Sequence, residues 1–535
     1  MIQPKAASRR IGDIFRTGLQ NFLVLLLLAI AVLTALAERG PAIHGRLDVG
    51  YDSGNYAYIA SRLLRGGTPY VTAWTSKPPG VFFIDAAGLW LGRGQLWGIV
   101  ALEFAFLLGA ACAAYSGLKG EFGFGPAVLG SMAWLYGLRR LLSGGNITEE
   151  YSLLFSFGSL WLFALILRRP NSPWLHAMLG LALGCGILLR PNNVGVQIAI
   201  LVAEAFLVFS RWRPVQVPKL LIATVLGVLV PLAGVSLFFV ARNAFQPFVE
   251  RAILYNFSYL LQGKQGPRGL QVDLIKTLSI GLDRIGFVVE AAFIGMVMAY
   301  ENLRIQIRER RLHPLTIWLC VDFVLEILLS GLSGRNYLHY FISWLPWIAF
   351  ACGLLFNGML PRLAQGAARF QISVLLGAIV VLSAASWRSL ALYSPSLAKA
   401  AAEPTGQELL VDYITAHTKP GDTVLAYGWG GALNFLSGRD APTAHILYGD
   451  LVASRFTDEI SAEFYQDIQT HPPVLILDPQ LHGHPPRLSS RDPVLWSLAN
   501  GKYPQPYIEE VFRFVQKKYR YTGEVGGAAV YTLKP

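Results

Sequence analysis

Long apolar runs recur along this chain, and they constrain its fold more than any other feature. Runs such as 21–37 and 220–240 approach the ~20 residues that an α-helix needs to cross the hydrocarbon core of a bilayer. Only 15% of the residues are charged, whereas soluble domains average about 25%. Because lipid cannot satisfy backbone polar groups, repeated runs of this kind predict a polytopic helical membrane protein.

The apolar runs predict about eleven spans. They lie at 21–37, 96–118, 122–141, 150–167, 174–189, 194–210, 220–240, 274–299, 315–331, 340–358 and 372–390. Basic clusters such as Arg168-Arg169 and Arg310-Arg311 fall on one side of this arrangement, and the positive-inside rule makes that side cytoplasmic. We therefore predict a multi-pass protein of the inner (plasma) membrane with a cytoplasmic N-terminus and an extracytoplasmic C-terminus.

The first run admits two interpretations. Arg9 and Arg10 precede it, and residues 35–37 resemble a signal-peptidase site. We favour an uncleaved first helix, and with either outcome the segment that follows emerges outside the cytoplasm.

Charge and cysteine content exclude several function classes. The net charge is +12, but the basic residues are spread over short loops where they orient the spans and meet anionic lipid, so we expect no nucleic-acid partner. The four cysteines lie in apolar runs without metal-site spacing, which indicates core residues rather than a disulfide framework or a zinc site.

The chain divides into three predicted parts. Residues 1–20 form a cytoplasmic N-terminus, and 21–392 a transmembrane domain whose first extracytoplasmic loop spans 38–95. Residues 393–535 are more polar, with short apolar strands at 423–426, 474–477 and 528–531 and helical patterns at 406–416 and 458–469. The predicted fold is thus all-α in the membrane with a small C-terminal extracytoplasmic α/β domain.

The first outer loop carries two candidate functional residues. Asp52 precedes an amphipathic pattern that includes Tyr56, so it could serve as an N-cap, as a general base, or as both. Lys77 precedes Pro78, which disfavours helix at Lys77 and fixes where its ammonium group points. An isolated Lys-Pro-Pro turn with a solvated lysine is the simpler alternative.

Three further polar segments fall at predicted outer ends of spans. Asn146 is followed by Thr148, a candidate N-cap, and by the acids Glu149 and Glu150, of which a helix N-terminus explains only one well. Arg190 lies in a tight turn.

The third segment opens the tenth span. Arg335 and His339 are four residues apart, which on a helix places them on one face. A single arginine at such a place is explained by snorkelling to headgroups, but acids and bases at four outer segments together indicate a pocket.

The order of these motifs resembles the GT-C glycosyltransferases over residues 20 to 390. Asp-x-x-x-Tyr-Ala-x-Ile-Ala, Lys-Pro-Pro, Asn-x-Thr-Glu and Arg-x-Tyr-x-His-Tyr follow one another, as in the bacterial protein-mannosyltransferase and aminoarabinose-transferase branch. The resemblance implies the GT-C fold and inverting transfer of a sugar from a polyprenyl-phosphate carrier to a lipid, glycan or protein acceptor of the cell envelope.

The resemblance also implies roles for individual residues. Asp52 matches the catalytic carboxylate and Lys77 the lysine near the donor phosphate. Where many members have Asp-Glu this chain has Asp52-Ser53, so the supporting acid is left to Asp48, Glu149 or Glu150. We expect Arg190, Arg335 and His339 to bind the donor phosphate together with Lys77. Tyr56, Asn146 and Tyr337 are expected to contact the sugar or the acceptor. We expect no cofactor, with a divalent metal as the minor alternative.

Two other functions stay open. A transporter or flippase of a lipid-linked sugar would need polar groups within the membrane, and Asp283, Asp322 and Glu326 are the charges inside predicted spans that would suit it. A non-enzymatic assembly or sensor protein would use the C-terminal domain to bind a partner.

Overall fold

The apolar runs form membrane-length helices. The computed structural model describes residues 4–36, 50–142, 144–209, 217–263, 266–267, 273–309, 312–359, 371–373, 375–380, 382–383, 404–428, 430–479 and 486–535. Within these residues, six helices are long and apolar enough to cross a membrane: Thr17–Leu36, Trp97–Phe122, Thr148–Arg168, Val217–Ala241, Pro314–Gly331 and Leu338–Met359. The prediction of a multi-pass membrane protein is therefore confirmed.

The helices of the membrane region follow one another with short connections. They are α1 (Pro4–Leu36), α2 (Tyr51–Leu64), α3 (Gly80–Leu91), α4 (Trp97–Phe122), α5 (Phe124–Leu141), α6 (Thr148–Arg168), α7 (Pro173–Leu189), α8 (Gly195–Phe209), α9 (Val217–Ala241), α10 (Phe245–Phe248), α11 (Tyr255–Leu261), α12 (Leu274–Ile285), α13 (Phe287–Glu309), α14 (Pro314–Gly331) and α15 (Leu345–Met359). A π-helix, Val249–Leu254, joins α10 to α11, and a two-residue hairpin pairs β1 (Gln262–Gly263) with β2 (Gly266–Pro267).

Small residues let the membrane helices approach closely. A Cβ on Gly180 of α7 would collide with the backbone of Thr224 in α9, and one on Gly227 would collide with the backbone of Ala177. Such contacts are a usual way for helices to pack where lipid and protein are equally apolar. Buried aromatic side chains, including Trp134, fill the remaining core.

The predicted span 274–299 is wrong as a single helix. Gly286 has φ +81°, which ends α12 and starts α13. The buried residues of α12 are Thr277, Gly281 and Ile285, four apart on one face. At 12 residues, or about 18 Å, α12 is too short to cross a bilayer by itself.

The entry to the tenth span also differs from the prediction. Residues 332–337 are not helical, because Gly334 and Asn336 adopt φ of +61° and +47°. A 3₁₀ helix begins only at Leu338 and runs to Trp344, where α15 continues it. Arg335 therefore precedes the helix and does not share a helical face with His339.

The C-terminal region is an α/β domain, as predicted. Its helices are α16 (Gly406–His417), α17 (Ala432–Ser437), α18 (Thr457–Thr470), α19 (Pro493–Ala499) and α20 (Ile508–Lys518), and its strands are β3 (Val424–Ala426), β4 (Leu475–Asp478), β5 (Tyr519–Val525) and β6 (Ala528–Leu533). The sheet order is β3-β4-β6-β5, with β3 parallel to β4 and the other pairs antiparallel.

Strand β5 was not predicted from the sequence. Most of its side chains are exposed or half-buried, and it lacks the apolar run that indicated the other three strands. The predicted boundary at 392–393 and much of the eleventh predicted span lie outside the described residues; those that are described between 371 and 383 are helical. The three-part domain division remains a prediction.

Candidate active site

Helix α2 places Asp52 beside Lys77. The helix begins at Tyr51 with Gly50 as its N-cap, and no side chain caps it. The N-cap interpretation of Asp52 is therefore wrong: its carboxylate lies in the first turn, where the helix dipole favours an acid, and its Oδ2 is 3.3 Å from the Lys77 Nζ. The two side chains are 30% and 23% exposed, so the pair remains accessible to a ligand.

Three hydrogen bonds hold the loop that carries Lys77. The Tyr70 hydroxyl donates to the Lys77 carbonyl at 2.7 Å, and the Lys77 amide donates to Thr75 Oγ1 at 3.2 Å. Asn256 donates from Nδ2 to the Ser76 carbonyl at 2.5 Å. Burial has the largest single effect on the pKa of Lys77 and lowers it, but the surrounding acidic groups, of which Asp52 acts most strongly, together raise the pKa above its ordinary value. Lys77 is thus held in place as a cation.

A second ion pair lies nearby, between Arg190 and Glu149. The Arg190 guanidinium donates to the Glu149 carboxylate, whose side chain is 1% exposed, and His339 Nε2 lies 3.5 Å from the same carboxylate oxygen. Asn192 accepts from Arg190 Nε at 2.9 Å, and the guanidinium stacks over the Tyr340 ring at 4.2 Å. Thr148 does not cap α6 as predicted: it is the first helical residue, and Ile147 is the N-cap.

Tyr56 joins the two ion pairs. It is 1% exposed, and its hydroxyl has no hydrogen-bond partner among the described residues. Burial raises the pKa of Tyr56 and Asp52 raises it further, while Lys77 and Arg190 lower it. The charges of both pairs therefore act on this one side chain. A buried hydroxyl without a partner is uncommon and suits a site that a ligand completes.

The charged cluster, defined as Asp52, Lys77, Glu149, Arg190 and His339, brings together residues from four separate segments. Each of its carboxylates lies beside a cation. Lys77 and Arg190, the two cations whose charges act on Tyr56, can receive an anionic group while a carboxylate stays within reach. A cluster of this kind can bind a phosphate and accept a proton.

The remaining predicted site residues differ in their placement. Glu150 is fully buried beside Glu149. Tyr337 is 44% exposed and its ring stacks on His339 at 5.7 Å. Arg335 lies in the preceding loop, where its backbone amide donates to Ser333 Oγ at 3.4 Å, and it is not part of the charged cluster. Asp48 lies outside the described residues.

Asn146 is the centre of a buried polar layer beneath α2. Its Nδ2 donates to Ser53 Oγ at 3.0 Å and to Asp85 Oδ2 at 2.9 Å. Its Oδ1 accepts from the Tyr151 hydroxyl at 2.8 Å, and its backbone amide donates to the Glu103 carboxylate. Asn146 is 0% exposed, so its side chain faces the protein interior.

Sequence reasoning missed Asp85 and Glu103. Both are fully buried and interrupt otherwise apolar segments. A single acidic residue within an apolar run indicates a functional site or a buried polar network. This pattern would have identified Asp85 and Glu103 from the sequence.

The C-terminal domain contacts the opposite side of α2. The Gly431 amide donates to Asn55 Oδ1 at 2.6 Å, and the Ala441 amide donates to the Tyr58 hydroxyl at 2.9 Å. The Asp440 carboxylate accepts from Arg62, and a Cβ on Gly54 would collide with α17. No local pattern in the sequence indicates these contacts.

No metal ligand set stands out in the part of the chain that the structure describes. There, no group of three or more His, Cys, Asp or Glu side chains could hold a metal ion. Asp52 and Glu149, the two acids of the charged cluster, both lie beside a cation.

Sequence comparison supports the resemblance over part of the chain. The family model for dolichyl-phosphate-mannose-protein mannosyltransferase matches residues 76–238, a stretch that includes Lys77, Glu149 and Arg190. No curated protein matches the chain significantly.

Solved structures resemble the chain over nearly its whole length. ArnT from Cupriavidus metallidurans bound to undecaprenyl phosphate has a TM-score of 0.59 at 14% identity, covering 95% of this chain and 97% of that one. The apo state of ArnT gives 0.56 at the same identity and coverage. The oligosaccharyltransferase AglB from Archaeoglobus fulgidus is more distant, with a TM-score of 0.49 at 13% identity, covering 96% of this chain and 74% of that one. The chain therefore has the GT-C fold that its sequence motifs resemble.

Proposed function

We propose that the protein is an inverting glycosyltransferase that moves a sugar from a polyprenyl-phosphate carrier to an extracytoplasmic acceptor. The observation that carries the proposal is the placement of Asp52 3.3 Å from Lys77. Arg190 and His339 lie beside a second carboxylate, that of Glu149. The fold and the family match support a membrane glycosyltransferase. The distribution of Lys and Arg supports an orientation that places this site on the outer face, and the inner membrane is part of the proposal.

Asp52 is the proposed general base. As the acceptor hydroxyl attacks the anomeric carbon, a new carbon–oxygen bond forms, the bond from that carbon to the phosphate oxygen breaks, and the hydroxyl proton passes to Asp52. A positioned base of this kind typically contributes about 10²–10⁴-fold. Polyprenyl phosphate leaves as a weak base, so the step needs charge stabilisation rather than a general acid.

Lys77 links donor binding to activation of the base. In the structure its ammonium pairs with Asp52. A donor phosphate would compete for that ammonium and would leave the Asp52 carboxylate freer to accept a proton. Arg190 and His339 lie beside the Glu149 carboxylate and would share the negative charge of the leaving phosphate. A partly dry site strengthens such contacts. Arg335 stays a weaker candidate for this role.

The other candidate residues divide by accessibility. Tyr337 is exposed beside His339 and suits contact with the sugar or acceptor, and the Tyr56 hydroxyl suits a hydrogen bond to the donor. Because Asn146 is enclosed and fully bonded, we assign it to positioning Ser53, next to Asp52. Glu149 is the supporting acid, and it pairs with Arg190. Glu150 and Asp48 are the alternatives for the role of supporting acid.

The test is transfer by purified full-length protein in detergent. The protein is incubated with polyprenyl-phosphate hexoses and pentoses, and release of sugar to water or to an added acceptor is measured by mass spectrometry. Turnover of at least one donor supports the proposal and separates it from transport, which needs a membrane. Folded protein that binds and turns over none of these donors would refute it.

We expect the reaction to need no metal. Exhaustive chelation should therefore leave the rate unchanged, and restoration of a lost rate by a divalent cation would contradict this.

A further inference from the structure

The backbone around Lys77 depends on donors from elsewhere in the chain. Pro78 and Pro79 have no N–H group, so neither can donate the turn bonds that usually satisfy carbonyls two or three residues earlier. Two distant side chains supply donors instead: Asn256 to the Ser76 carbonyl and Tyr70 to the Lys77 carbonyl. The position of this backbone is therefore set by residues outside the Lys-Pro-Pro segment.

Tyr70 is bonded through each of its polar groups. Its hydroxyl donates to the Lys77 carbonyl at 2.7 Å, and its amide donates to the Ala73 carbonyl at 2.9 Å. Its own carbonyl accepts from Arg251 Nη1 at 2.6 Å. The side chain is 0% exposed, so water does not compete for the hydroxyl. Tyr70 is thus a fixed anchor for the Lys77 backbone.

The backbone of Tyr70 is also strained. Its φ is +68°, which is uncommon for a bulky residue and which glycine adopts freely. The ring nevertheless packs against Phe82, Phe239 and Phe248, with centroids 5.5 to 6.0 Å apart. Strain of this kind persists where the surroundings over-determine a conformation, and it is frequent at functional sites.

Arg251 and Asn256 belong to one segment, formed by the π-helix and α11. Arg251 also donates from Nη2 to Glu463 of α18 at 2.9 Å. Asn256 Nδ2 donates to the Ala252 carbonyl at 2.8 Å as well as to Ser76, which fixes the orientation of its amide. The segment therefore contacts the backbone around Lys77 on one side and the C-terminal domain on the other.

A purely structural role is the simpler account of Tyr70. A buried tyrosine ring fills the core, and its hydroxyl usually finds a partner. That account does not require the partner to be the residue whose ammonium lies 3.3 Å from Asp52. Lysine has a flexible four-carbon stem, so a fixed backbone narrows the positions that its ammonium can reach.

We propose that Tyr70 and Asn256 are positioning residues that hold the Lys77 ammonium where the donor phosphate binds. Neither side chain needs to touch the donor, because both act through the backbone of residues 76 and 77. Arg251 in turn fixes Tyr70. The identity of the ligand rests on the proposed function, whereas the restraint on Lys77 does not.

The first experiment measures initial rates against the concentration of the polyprenyl-phosphate sugar that the wild type turns over. Y70F keeps the ring and removes the hydroxyl, and N256A removes the amide. Y519F is the matched control for the first variant, because the buried Tyr519 hydroxyl donates to a carbonyl, that of Pro473, at 2.8 Å in the C-terminal domain. N500A is the control for the second, because Asn500 donates to the carbonyl four residues earlier, as Asn256 does.

We expect the donor KM to rise about three- to tenfold in Y70F and N256A, with kcat within about twofold of wild type. Y519F and N500A should leave KM unchanged, even where they lower the thermal unfolding midpoint. Y70F/K77A should match K77A, because Tyr70 acts through Lys77. An unchanged KM in Y70F and N256A, or independent effects of Y70F and K77A, would overturn the proposal.

The second experiment needs no turnover. Lys77 is acetylated with an N-hydroxysuccinimide ester at fixed pH, and its modification rate is measured by mass spectrometry. We expect Y70F and N256A to react at least threefold faster than wild type and Y519F, because the ammonium leaves Asp52 more readily. Equal rates would overturn the restraint. A wild type that turns over no donor would refute the proposed function, while this comparison still decides whether the two residues hold Lys77. Should Y70F fail to fold, N256A carries both experiments, with N256A/K77A as the double variant.

Discussion

The backbone amide of Gly431 donates a hydrogen bond to the Asn55 side chain at 2.6 Å, one helical turn after Asp52. Asn55 is 1% exposed, so its amide oxygen has no access to water to replace this bond. The contact joins the C-terminal domain to α2. Since Asn146 holds Ser53 from the other side, the proposed base lies on a helix that both parts of the protein position.

Replacing Asn55 with alanine should impair the proposed reaction without touching substrate. N55A leaves the Gly431 amide unsatisfied at a cost of about 1–3 kcal/mol and loosens the start of α2. We expect kcat to fall at least tenfold while the donor Kd stays unchanged. N55D, which keeps an acceptor for the amide, should recover part of the rate. N500A removes an exposed asparagine of the C-terminal domain and should have no effect. A wild-type kcat in N55A would argue against the positioning role.

Asp52→Asn should reduce transfer by about 10²–10⁴-fold. The amide keeps the shape of the side chain but accepts a proton poorly, and it loses the ion pair with Lys77. Rates are compared at saturating donor, with the thermal unfolding midpoint as a check on folding. D458N, at an exposed acid of α18, is the control. If purified D52N keeps most of the wild-type rate, another residue is the base.

Lys77→Ala should chiefly weaken use of the lipid donor. The variant loses the cation that would meet the phosphate, so we expect the donor KM to rise at least tenfold. K77R keeps the charge and should lie between wild type and K77A. The measurement is the donor dependence of the initial rate. An unchanged donor KM together with an unchanged kcat in K77A would remove Lys77 from the phosphate site.

Removing one partner of the Glu149–Arg190 pair should strongly destabilise the protein because the pair is buried. Removing one partner leaves an uncompensated buried charge, a loss of about 3–5 kcal/mol in typical cases. We expect E149Q and R190M each to lower the free energy of unfolding by this order, and E149Q/R190M to lower it by less than the sum. Denaturant unfolding in detergent measures all three. Strictly additive losses would mean that the two side chains do not interact in the folded protein.

Glu463 should make the domain junction sensitive to acid. It accepts from His445 at 2.6 Å and from Arg251, next to α11, at 2.9 Å, and the His445 hydrogen bond chiefly lowers its pKa below the ordinary 4.5. A lowered pKa in the folded state means that the stabilisation is complete above pH 4.5 and is lost as the pH falls through the folded value.

The E463Q variant tests this pH dependence. Its unfolding midpoint should lie below that of the wild type at pH 7, and the difference should shrink below pH 4.5. E509Q, at an exposed acid of α20, should show no such trend. A difference between E463Q and wild type that is independent of pH would show that Glu463 acts through packing rather than charge.

The sequence by itself determined the membrane class, most span positions and the mixed character of the C-terminal domain. These properties follow from the length of the apolar runs and from short-range periodicity, and both can be read from one segment of sequence at a time. Local chemistry also indicated Asp52, Lys77 and Glu149 as candidate functional residues, because charged groups close to membrane segments cost free energy and are often functional.

Only the tertiary structure decided how these groups are paired and held. Asn146 contacts Ser53 across 93 positions of sequence, and Gly431 contacts Asn55 across 376. The short-range periodicity of the sequence carries no information about contacts over such separations. The two predicted N-caps failed because each helix begins at a different residue from the one predicted, with Gly50 and Ile147 as the N-caps. The Asp52 carboxylate instead pairs with Lys77, 25 residues away. Long-range electrostatics and packing, which local patterns do not contain, selected the final arrangement.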